Sequence, residues 1–292
     1  MPAAPPRLSV VIATRDRPEV LRGTLASLAR CDPPPAETLV VDGGRDPATE
    51  EVARAASVRH VRSEPGLTVQ RNAGLDQVDG DVVVFLDDDV EVDPGLFAAL
   101  AGAYRDPEVV GATGRVDEPD LRRFGNTRSA WRRLLPGGGS EGRMTRFGYP
   151  RRIQDPTVER DVEYMLGCLM SARRDVAARL RFDERLRDYA LLEDEDFSYR
   201  LSRTGRVRYV PSARIVHRRV GAESEVARAY EFGRTVVVNR AYLFRKSFRR
   251  TPLARLQFAL LVAVLAAHRA INWEWSGVRG VVDGAAEAWR RR

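Results

Sequence analysis

Three consecutive aspartates, Asp87, Asp88 and Asp89, directly follow the apolar run Val82–Leu86. Carboxylates held so close together repel one another, and a divalent cation offsets that cost. Asp87 and Asp89 are therefore candidate oxygen ligands for Mg²⁺ or Mn²⁺, hard cations that prefer such donors. The alternative interpretation is a solvated acidic turn, or capping of the following helix by Asp93 ahead of Pro94.

A second acidic cluster lies in the segment Leu191–Leu201 (LLEDEDFSYRL), which contains Glu193 and Asp194. Acidic residues in the first turn of a helix are favoured by the helix dipole, and that explains some of these carboxylates. Two acidic clusters about a hundred residues apart also suit two separate chemical functions. In that arrangement one cluster binds metal and the other carries out proton transfer.

His217 follows the apolar segment ARIV and is one of three histidines in the chain. A histidine after a strand is more often a packed or capping residue than a ligand. Its imidazole is also able to complete a metal site that is otherwise built from carboxylates. The residues alone leave both interpretations open.

The elements that position these residues alternate between strand and helix. Short runs that are apolar throughout predict strands buried on both faces, and this alternation indicates a parallel sheet covered by helices. Ligands of such sheets bind beyond the carboxyl ends of the strands. The predicted strands are Leu8–Ala13, Thr38–Val41, Val58–Val61 and Val82–Leu86, with helices after Pro18 and over Ala48–Ala56 and Gln70–Val78.

Polar residues follow three of these strand ends, namely Thr14 with Asp16, then Asp42, then the aspartate triplet. Residues 115–160 show little periodicity and are expected to form a mobile loop region over the site. Regular structure is expected again in the helices Asp175–Leu180 and Leu192–Arg203 and the strand Val207–Val210. Mostly helical structure is expected after Glu223.

Composition excludes several classes of protein. The chain has 292 residues, 43% of them hydrophobic, which is enough for a substantial core. The net charge is +7, but basic runs interleaved with aromatic residues and zinc-ligand spacings are absent, so no nucleic-acid partner is expected. Nothing marks Cys31 and Cys168 as a disulfide pair, and no secretory signal is evident, so we expect a reduced, cytoplasmic protein.

Further blocks accompany these residues in order. The opening LSVVIATRDRPEVLRGTLASL is followed by LVVDGG and QRNAGLDQVDGDVVVFLDDD, and later by GCLMSARRDV, RFDERL, LLEDEDFSYRLSRTG and RVRYVPSARIVH. Together they resemble a bacterial rhamnosyltransferase-like member of glycosyltransferase family 2, including its Arg-Asn-x-Gly helix and DXD motif. The resemblance covers roughly residues 8 to 220, and the order and spacing of the blocks make it specific.

The resemblance implies an α/β fold of the GT-A type, a mostly parallel, Rossmann-like sheet flanked by helices. It implies a catalytic domain over residues 1–220 and a helical C-terminal extension over residues 221–292. Within the catalytic domain, the donor-binding half would span about 8–114, the loop region 115–160, and the half with the acceptor site and base 161–220.

The resemblance also implies a reaction. A hexosyl or deoxyhexosyl group would pass, with inversion, from a UDP-, dTDP- or GDP-sugar to a hydroxyl of a glycan, a lipid-linked acceptor or a small molecule. Asp194 would be the general base, beside Glu193, and Asp87, Asp89 and His217 would hold Mn²⁺ or Mg²⁺. The donor would be bound by Thr14, Asp16, Asp42, Arg71, Asn72, Asp87 and Asp88.

Two other functions compete with glycan biosynthesis. A nucleotidyltransferase is expected to carry a glycine-rich, basic phosphate loop after its first strand, and ATRDRPE contains no glycine. A non-catalytic GT-A-like binding domain is expected to lose the aspartate triplet or the Glu193-Asp194 pair, and both are present. The sequence therefore favours the transferase.

The C-terminal part contains an apolar run of ten residues, Phe258–Ala267, about half of what a membrane-spanning helix needs. Six basic residues precede it, and Trp273 and Trp275 follow it. Basic and Trp residues beside an apolar helix suit peripheral contact with the inner face of the cell membrane. Packing on the catalytic domain or in a homodimer is the alternative. The basic residues are Arg240, Arg245, Lys246, Arg249, Arg250 and Arg255.

Overall fold

The structure is a computed structural model that describes residues 4–119, 140–186, 191–218 and 228–290. These residues form two compact units. The first contains residues 4–119, 153–186 and 191–218, and the second contains residues 140–152 and 228–290. The predicted domain boundary at residue 220 stays a prediction. Residues 120–139 of the expected loop region lie outside the described residues.

A mixed sheet forms the centre of the first unit. Its described strands lie in the order β3-β2-β1-β4-β8-β6-β9-β5, and β7 pairs with β9 beside this path. Strands β1 to β4 are mutually parallel, whereas β8 runs antiparallel to both of its neighbours. The strands are β1 Leu8–Thr14, β2 Glu37–Asp42, β3 Arg59–Arg62, β4 Val82–Asp87, β5 Val90–Val92, β6 Val109–Asp117, β7 Arg160–Val162, β8 Leu169–Arg173 and β9 Arg206–His217.

Helices cover this sheet, and their apolar sides pack against it in two buried clusters. In one cluster the rings of Phe85, Phe182 and Phe197 pack against one another, with centroids 4.3–6.2 Å apart. The helices of this unit are α1 Pro18–Leu28, α2 Ala48–Ala55, α3 Leu67–Leu75, α4 Leu96–Ala103, α5 Arg174–Leu180 and α6 Glu193–Leu201, with a 3₁₀ turn at Glu184–Leu186.

The predicted α/β architecture is confirmed, and the first four predicted strands and three helices overlap the observed ones, although α3 begins and ends three residues earlier than the predicted Gln70–Val78. The predicted start of the loop region at residue 115 is wrong, because residues 115–117 belong to β6. Strand β9 is also longer than the predicted Val207–Val210. Polar residues fill much of both strands, so they lack the continuous apolar run from which a buried strand is predicted.

Strand β9 connects distant parts of the chain. It pairs in parallel with β6 from Arg206 to Val216, and its last three residues also pair antiparallel with β5. In that pairing His217 lies opposite Val90, the residue after the aspartate triplet. The register therefore brings the histidine and the triplet together, although 128 residues separate His217 from Asp89.

Helix α3 lies close to the sheet because of a glycine. A Cβ at Gly74 would overlap the side chain of Val11 in β1. The Gln70 amide, one turn earlier, donates to the carbonyl oxygens of Thr14 (2.8 Å) and Val41 (2.9 Å). These contacts hold α3 against the carboxyl ends of β1 and β2.

The second unit contains three long helices, α7 Ala229–Ser247, α8 Pro252–Ile271 and α9 Trp275–Arg290. Helices α7 and α9 pack closely through glycines. A Cβ at Gly284 would lie 2.6 Å from the carbonyl oxygen of Arg234, and one at Gly280 would overlap that of Tyr230. The expected helical extension is thus observed over the described residues.

Helix α8 is the one described helix that is long and apolar enough to cross a membrane, with a mean hydropathy of 1.4 over its best window. Length and composition alone are a weak criterion, because core helices of soluble proteins also meet it. Only 17% of that window is buried in the structure. Membrane contact of this helix, and the alternative of packing on the catalytic domain or in a homodimer, both stay predictions.

One charged side chain links the halves of the first unit. The Arg71 guanidinium, on α3, is only 2% exposed. It donates to Asp87 Oδ1 at the end of β4 (3.1 Å) and to Glu193 Oε1 at the start of α6 (3.0 Å). It also donates to the Gly167 carbonyl oxygen (2.8 Å) and lies over the Phe182 ring. Hydrogen bonds from one guanidinium therefore join α3 to three separated segments, at Asp87, Gly167 and Glu193.

We expect the substitution Arg71→Met to lower the free energy of unfolding by about 3–5 kcal/mol, because it leaves Glu193 buried without its counterion. Urea unfolding of wild type and variant measures this change. The double variant Arg71→Met/Glu193→Gln should recover part of the loss, since it removes the unpaired charge. A loss below about 1 kcal/mol in the single variant would contradict the conclusion that Arg71 stabilises the buried Glu193 carboxylate.

Candidate active site

The aspartate triplet and His217 form a cluster with the geometry of a metal site. One ligand atom from each of Asp87, Asp89 and His217 lies within 4.8 Å of the other two. His217 Nε2 lies 3.1 Å from Asp89 Oδ1 and 4.0 Å from Asp87 Oδ2. Two carboxylates and an imidazole are a donor set that suits a divalent cation.

A further carboxylate lies beside the histidine. His217 Nδ1 lies 3.4 Å from Glu118 Oε1, just beyond the end of β6. Metal-binding histidines commonly donate their second ring nitrogen to such a carboxylate. Burial by itself lowers the pKa of His217, but hydrogen bonds to Asp89, Cys168 and Glu118 outweigh it and raise the pKa well above its usual value. A cation would compete with that proton for the imidazole nitrogen.

The middle aspartate is held by the protein. Asp88 is 4% exposed. It accepts hydrogen bonds from Thr14 Oγ1 (2.7 Å) and from Arg17 Nη1 (2.6 Å). Burial raises the pKa of Asp88 to about 6, although Arg17 and Thr14 act in the opposite direction. Arg17 also donates to Asp89 Oδ2 at 3.2 Å, so one guanidinium contacts two members of the triplet.

The backbone around the triplet is fixed by Thr24 of α1. The Thr24 hydroxyl lies 2.7 Å from the Asp88 carbonyl oxygen and accepts a hydrogen bond from the Val90 N–H at 3.1 Å. Since Thr24 is buried, these bonds are shielded from water. The direction of the three carboxylates is therefore set by α1 as well as by β4.

A cavity of about 280 Å³ opens beside the cluster at the carboxyl ends of β1 and β4. Its wall contains both arginines of the loop after β1, Arg15 and Arg17, and has few apolar groups. Cations and a metal cluster in one cavity suit a ligand with phosphate groups. Its lining is Ala13, Thr14, Arg15, Arg17, Leu67, Gln70, Asp87, Asp88, Asp89 and His217.

Asp16 and Asp42 shape the loops beside this cavity. Asp16 adopts a positive φ of 53°, and its Oδ1 accepts hydrogen bonds from the backbone N–H groups of Arg45 (2.7 Å) and Asp46 (3.0 Å). Those two bonds, ahead of all other causes, lower the pKa of Asp16. Asp42 is fully buried and lies 3.3 Å from His60 Nε2 and 3.2 Å from an Arg62 nitrogen. Their predicted contacts with the donor stay predictions.

Asn72 lies behind the site. Its amide donates to Phe182 O (3.0 Å) and Glu184 Oε1 (2.8 Å), and its Oδ1 accepts from the Phe182 N–H (2.9 Å). The side chain is 2% exposed, so its polar atoms face protein. The predicted donor contact of Asn72 stays a prediction, whereas its observed contacts attach α3 to the segment before α6.

The two predicted catalytic carboxylates differ in their surroundings. Glu193 is held by Arg71, whereas Asp194 Oδ2 accepts a hydrogen bond from the Gly167 N–H (3.1 Å) and Oδ1 from the Glu195 N–H (2.8 Å). Burial and the Glu195 charge raise the pKa of Asp194. Burial and the Asp194 charge raise the pKa of Glu193. Asp194 is partly exposed and has no cationic side chain bonded to it among the described residues, so it is the better placed of the two to accept a proton.

Sequence reasoning missed Arg17, Thr24, Glu118 and Gly167. Arg17 and Glu118 each lie just beyond a strand end, which is the signal that could have identified them. Thr24 faces inward on α1, and Gly167 contributes only backbone atoms. Neither of these two carries a signal in the sequence.

The sequence profile described as "Glycosyl transferase family 2" matches residues 9–181, more than half of the chain. By sequence, no protein of curated function matches the chain.

Solved structures resemble the whole fold. Mannosyltransferase PcManGT from Pyrobaculum calidifontis, in complex with GDP-Man and Mn²⁺, has a TM-score of 0.62 at 17% identity over 98% of this chain and 87% of its own. Glucosyl-3-phosphoglycerate synthase from Mycobacterium tuberculosis, in complex with Mn²⁺, UDP and glucosyl-3-phosphoglycerate, has a TM-score of 0.51 at 18% identity over 80% of each chain.

GalNAc-T7, in complex with UDP, GalNAc and Mn²⁺, has a TM-score of 0.56 at 20% identity over 73% of this chain and 44% of its own. At these identities the likeness shows the fold, and the family follows from the profile match. The strand order, the aspartate triplet at the end of β4 and the matched profile lead to one conclusion. The chain belongs to glycosyltransferase family 2.

Proposed function

We propose that this chain is an inverting glycosyltransferase that moves a hexosyl or deoxyhexosyl group from a nucleoside diphosphate sugar to an acceptor hydroxyl. One observation carries the proposal. The buried Arg71 guanidinium contacts both Asp87, in the candidate metal cluster, and Glu193, beside the candidate base. A single displacement requires that the donor, held at the metal cluster, and the base, beside Glu193, lie close together.

Asp87, Asp89 and His217 would hold Mn²⁺ or Mg²⁺, which supplies positive charge beside the donor diphosphate. The three structures described above each carry a nucleotide or nucleotide-sugar together with Mn²⁺ and share this fold. Arg17 and Arg15 line the same cavity and are positioned to bind phosphate oxygens. UDP-, dTDP- and GDP-sugars remain the donor classes that the proposal covers.

The reaction balances without an enzyme nucleophile. The acceptor oxygen forms a bond to the anomeric carbon, and the bond from that carbon to the diphosphate oxygen breaks with its electron pair on the diphosphate. Asp194 takes the acceptor proton as the new bond forms, because a sugar hydroxyl is too weak an acid to ionise beforehand. Attack from the face opposite the leaving group inverts the configuration.

We also propose that the chain works in the cytoplasm, with α8 in contact with the inner face of the cell membrane. Leu253, Leu256 and Leu260 on this helix are 49%, 68% and 43% exposed. Trp273 and Trp275, just beyond its end, are 79% and 61% exposed. Apolar and Trp side chains exposed along one helix suit the interface of a bilayer.

The metal assignment predicts that chelation by EDTA abolishes transfer and that Mn²⁺ or Mg²⁺ restores it. Asp89→Ala should abolish metal-dependent donor binding, measured by calorimetry with a panel of nucleotide-sugars, because it removes a ligand from the cluster. Glu91→Ala is the matched control, since Glu91 is an exposed carboxylate of β5 that pairs with Arg218. Full activity in chelator would show that the cluster does not need a cation.

Asp194→Asn keeps the shape of the side chain and removes its basicity. Turnover should fall by roughly 10²-fold or more, with donor affinity nearly unchanged. A base must be deprotonated, so wild-type kcat/KM should fall as the pH falls through the Asp194 pKa. That midpoint should lie above the usual aspartate value of about 3.9, because the pKa is raised.

Asp175→Asn, the same change at an exposed residue of α5, is the control and should leave turnover unchanged. Loss of donor binding in Asp194→Asn would instead assign that residue to the donor site. Glu193 and Asp196 would then be the candidates for the base.

Membrane contact predicts flotation of the protein with anionic liposomes at low salt, and release as the salt concentration rises. Leu256→Glu should abolish flotation, because it places a charge on the exposed face of α8. Val158→Glu, at a residue of the first unit that is 47% exposed, should float like wild type. Absence of wild-type flotation at low salt would reject the membrane contact.

A further inference from the structure

The second unit contains a cavity of about 750 Å³ between its three helices. This volume lies within the range of about 300–1,000 Å³ that is usual for small-molecule sites. Nine of the twelve lining residues are apolar, contributed by α7, α8 and α9 in equal number. They are Val237, Ala241, Phe244, Phe258, Ala259, Val262, Ala285, Ala288 and Trp289.

The other three lining residues are arginines, Arg245, Arg250 and Arg255. Arg245 donates to the Ala288 carbonyl oxygen at 3.1 Å, which holds its guanidinium at the cavity wall. Arg250 and Arg255 are exposed, and their side chains have no hydrogen bond or ion pair with another described residue. The cavity therefore has an apolar interior and cationic groups on its lining.

The charge around this cavity is of one sign. Between Glu231 and Glu274 the sequence contains eight arginine and lysine residues and no aspartate or glutamate. The carboxylates of α9 are occupied elsewhere, because Asp283 accepts from Tyr230 and Glu287 pairs with Arg234. A ligand that complements the cavity must therefore carry its own negative charge.

A second copy of the chain fits this surface less well. A two-fold contact brings the same patch of both copies together. Here it would place the arginines of one copy against those of the other, and like charges across an interface oppose association. An amphiphile with an anionic group satisfies both the apolar lining and the arginines.

We propose that the cavity binds one anionic lipid. Its hydrocarbon chain lies among the apolar side chains of α7, α8 and α9, and its phosphate lies at Arg250 and Arg255. Guanidinium groups bind phosphate oxygens with paired hydrogen bonds, and an apolar pocket contributes through burial of the chain. Binding requires neither the donor nor the metal, so it is independent of the glycosyl transfer proposed above.

Calorimetry with full-length protein and 1-oleoyl lysophosphatidic acid, below its micelle-forming concentration, tests the proposal. We expect saturable binding of one lipid per chain. Arg250→Gln/Arg255→Gln should weaken it by about tenfold or more, because two cations beside the phosphate are lost. Ala259→Trp should weaken it similarly by filling the cavity.

Two matched controls should bind like wild type. Arg146→Gln/Arg152→Gln removes two exposed arginines of the same unit that lie outside the cavity lining. Ala263→Trp adds the same ring to α8 at an exposed position outside the lining. Inorganic phosphate and 1-oleoyl lysophosphatidylcholine separate the contributions of the phosphate and of the chain, and each should bind at least about tenfold more weakly.

Equal affinity for inorganic phosphate would overturn the proposal in favour of a simple phosphate site. Equal affinity for the zwitterionic lipid would show that the arginines do not recognise the anionic group. Wild-type affinity in both cavity variants would show that the lipid does not bind in this cavity. Absence of lipid binding together with a dimer that Ala259→Trp dissociates would assign the cavity to self-association.

Discussion

A single buried guanidinium holds the candidate active site together. Arg71 has carboxylates on two sides, Asp87 from the end of β4 and Glu193 from the start of α6, and the buried Glu193 would lose its counterion without it. The arrangement also gives the adjacent carboxylates Glu193 and Asp194 different partners. Glu193 is occupied by this ion pair, whereas the Asp194 oxygens accept only from backbone N–H groups among the described residues, which is why Asp194 is the proposed base.

The sequence was most informative where one interaction dominates. Runs such as VVVFL bury both faces of a strand, so β1, β2 and β4 could be predicted from their apolar residues, whereas β3 is short, polar and partly exposed. The aspartate triplet could be assigned to metal because its charge is costly without a partner. The structure brings His217 within 3.1 Å of Asp89, and its role as a metal ligand stays a prediction.

Contacts that depend on strand pairing could not be predicted. Arg17 reaches Asp88 only because β1 and β4 are neighbours in register, and Glu118 reaches His217 only because β6 and β9 are. Strand β6 carries two glycines and an arginine among its apolar residues, and β9 carries three arginines, so their own periodicity is weak. The exposure of α8 could not be predicted from its apolar run either, because burial depends on which elements pack against the helix.

The pairing of β9 with β5 has a consequence for the order of folding. The last ligand of the candidate metal cluster, His217, joins the others only when the strand at residues 206–217 has been added to the sheet. A nascent chain that ends at residue 181 contains the aspartates and Arg71 but has neither Glu193 nor the histidine. During synthesis, Arg71 therefore lacks its Glu193 partner and Asp89 lacks its His217 neighbour until residues 193–217 have been made.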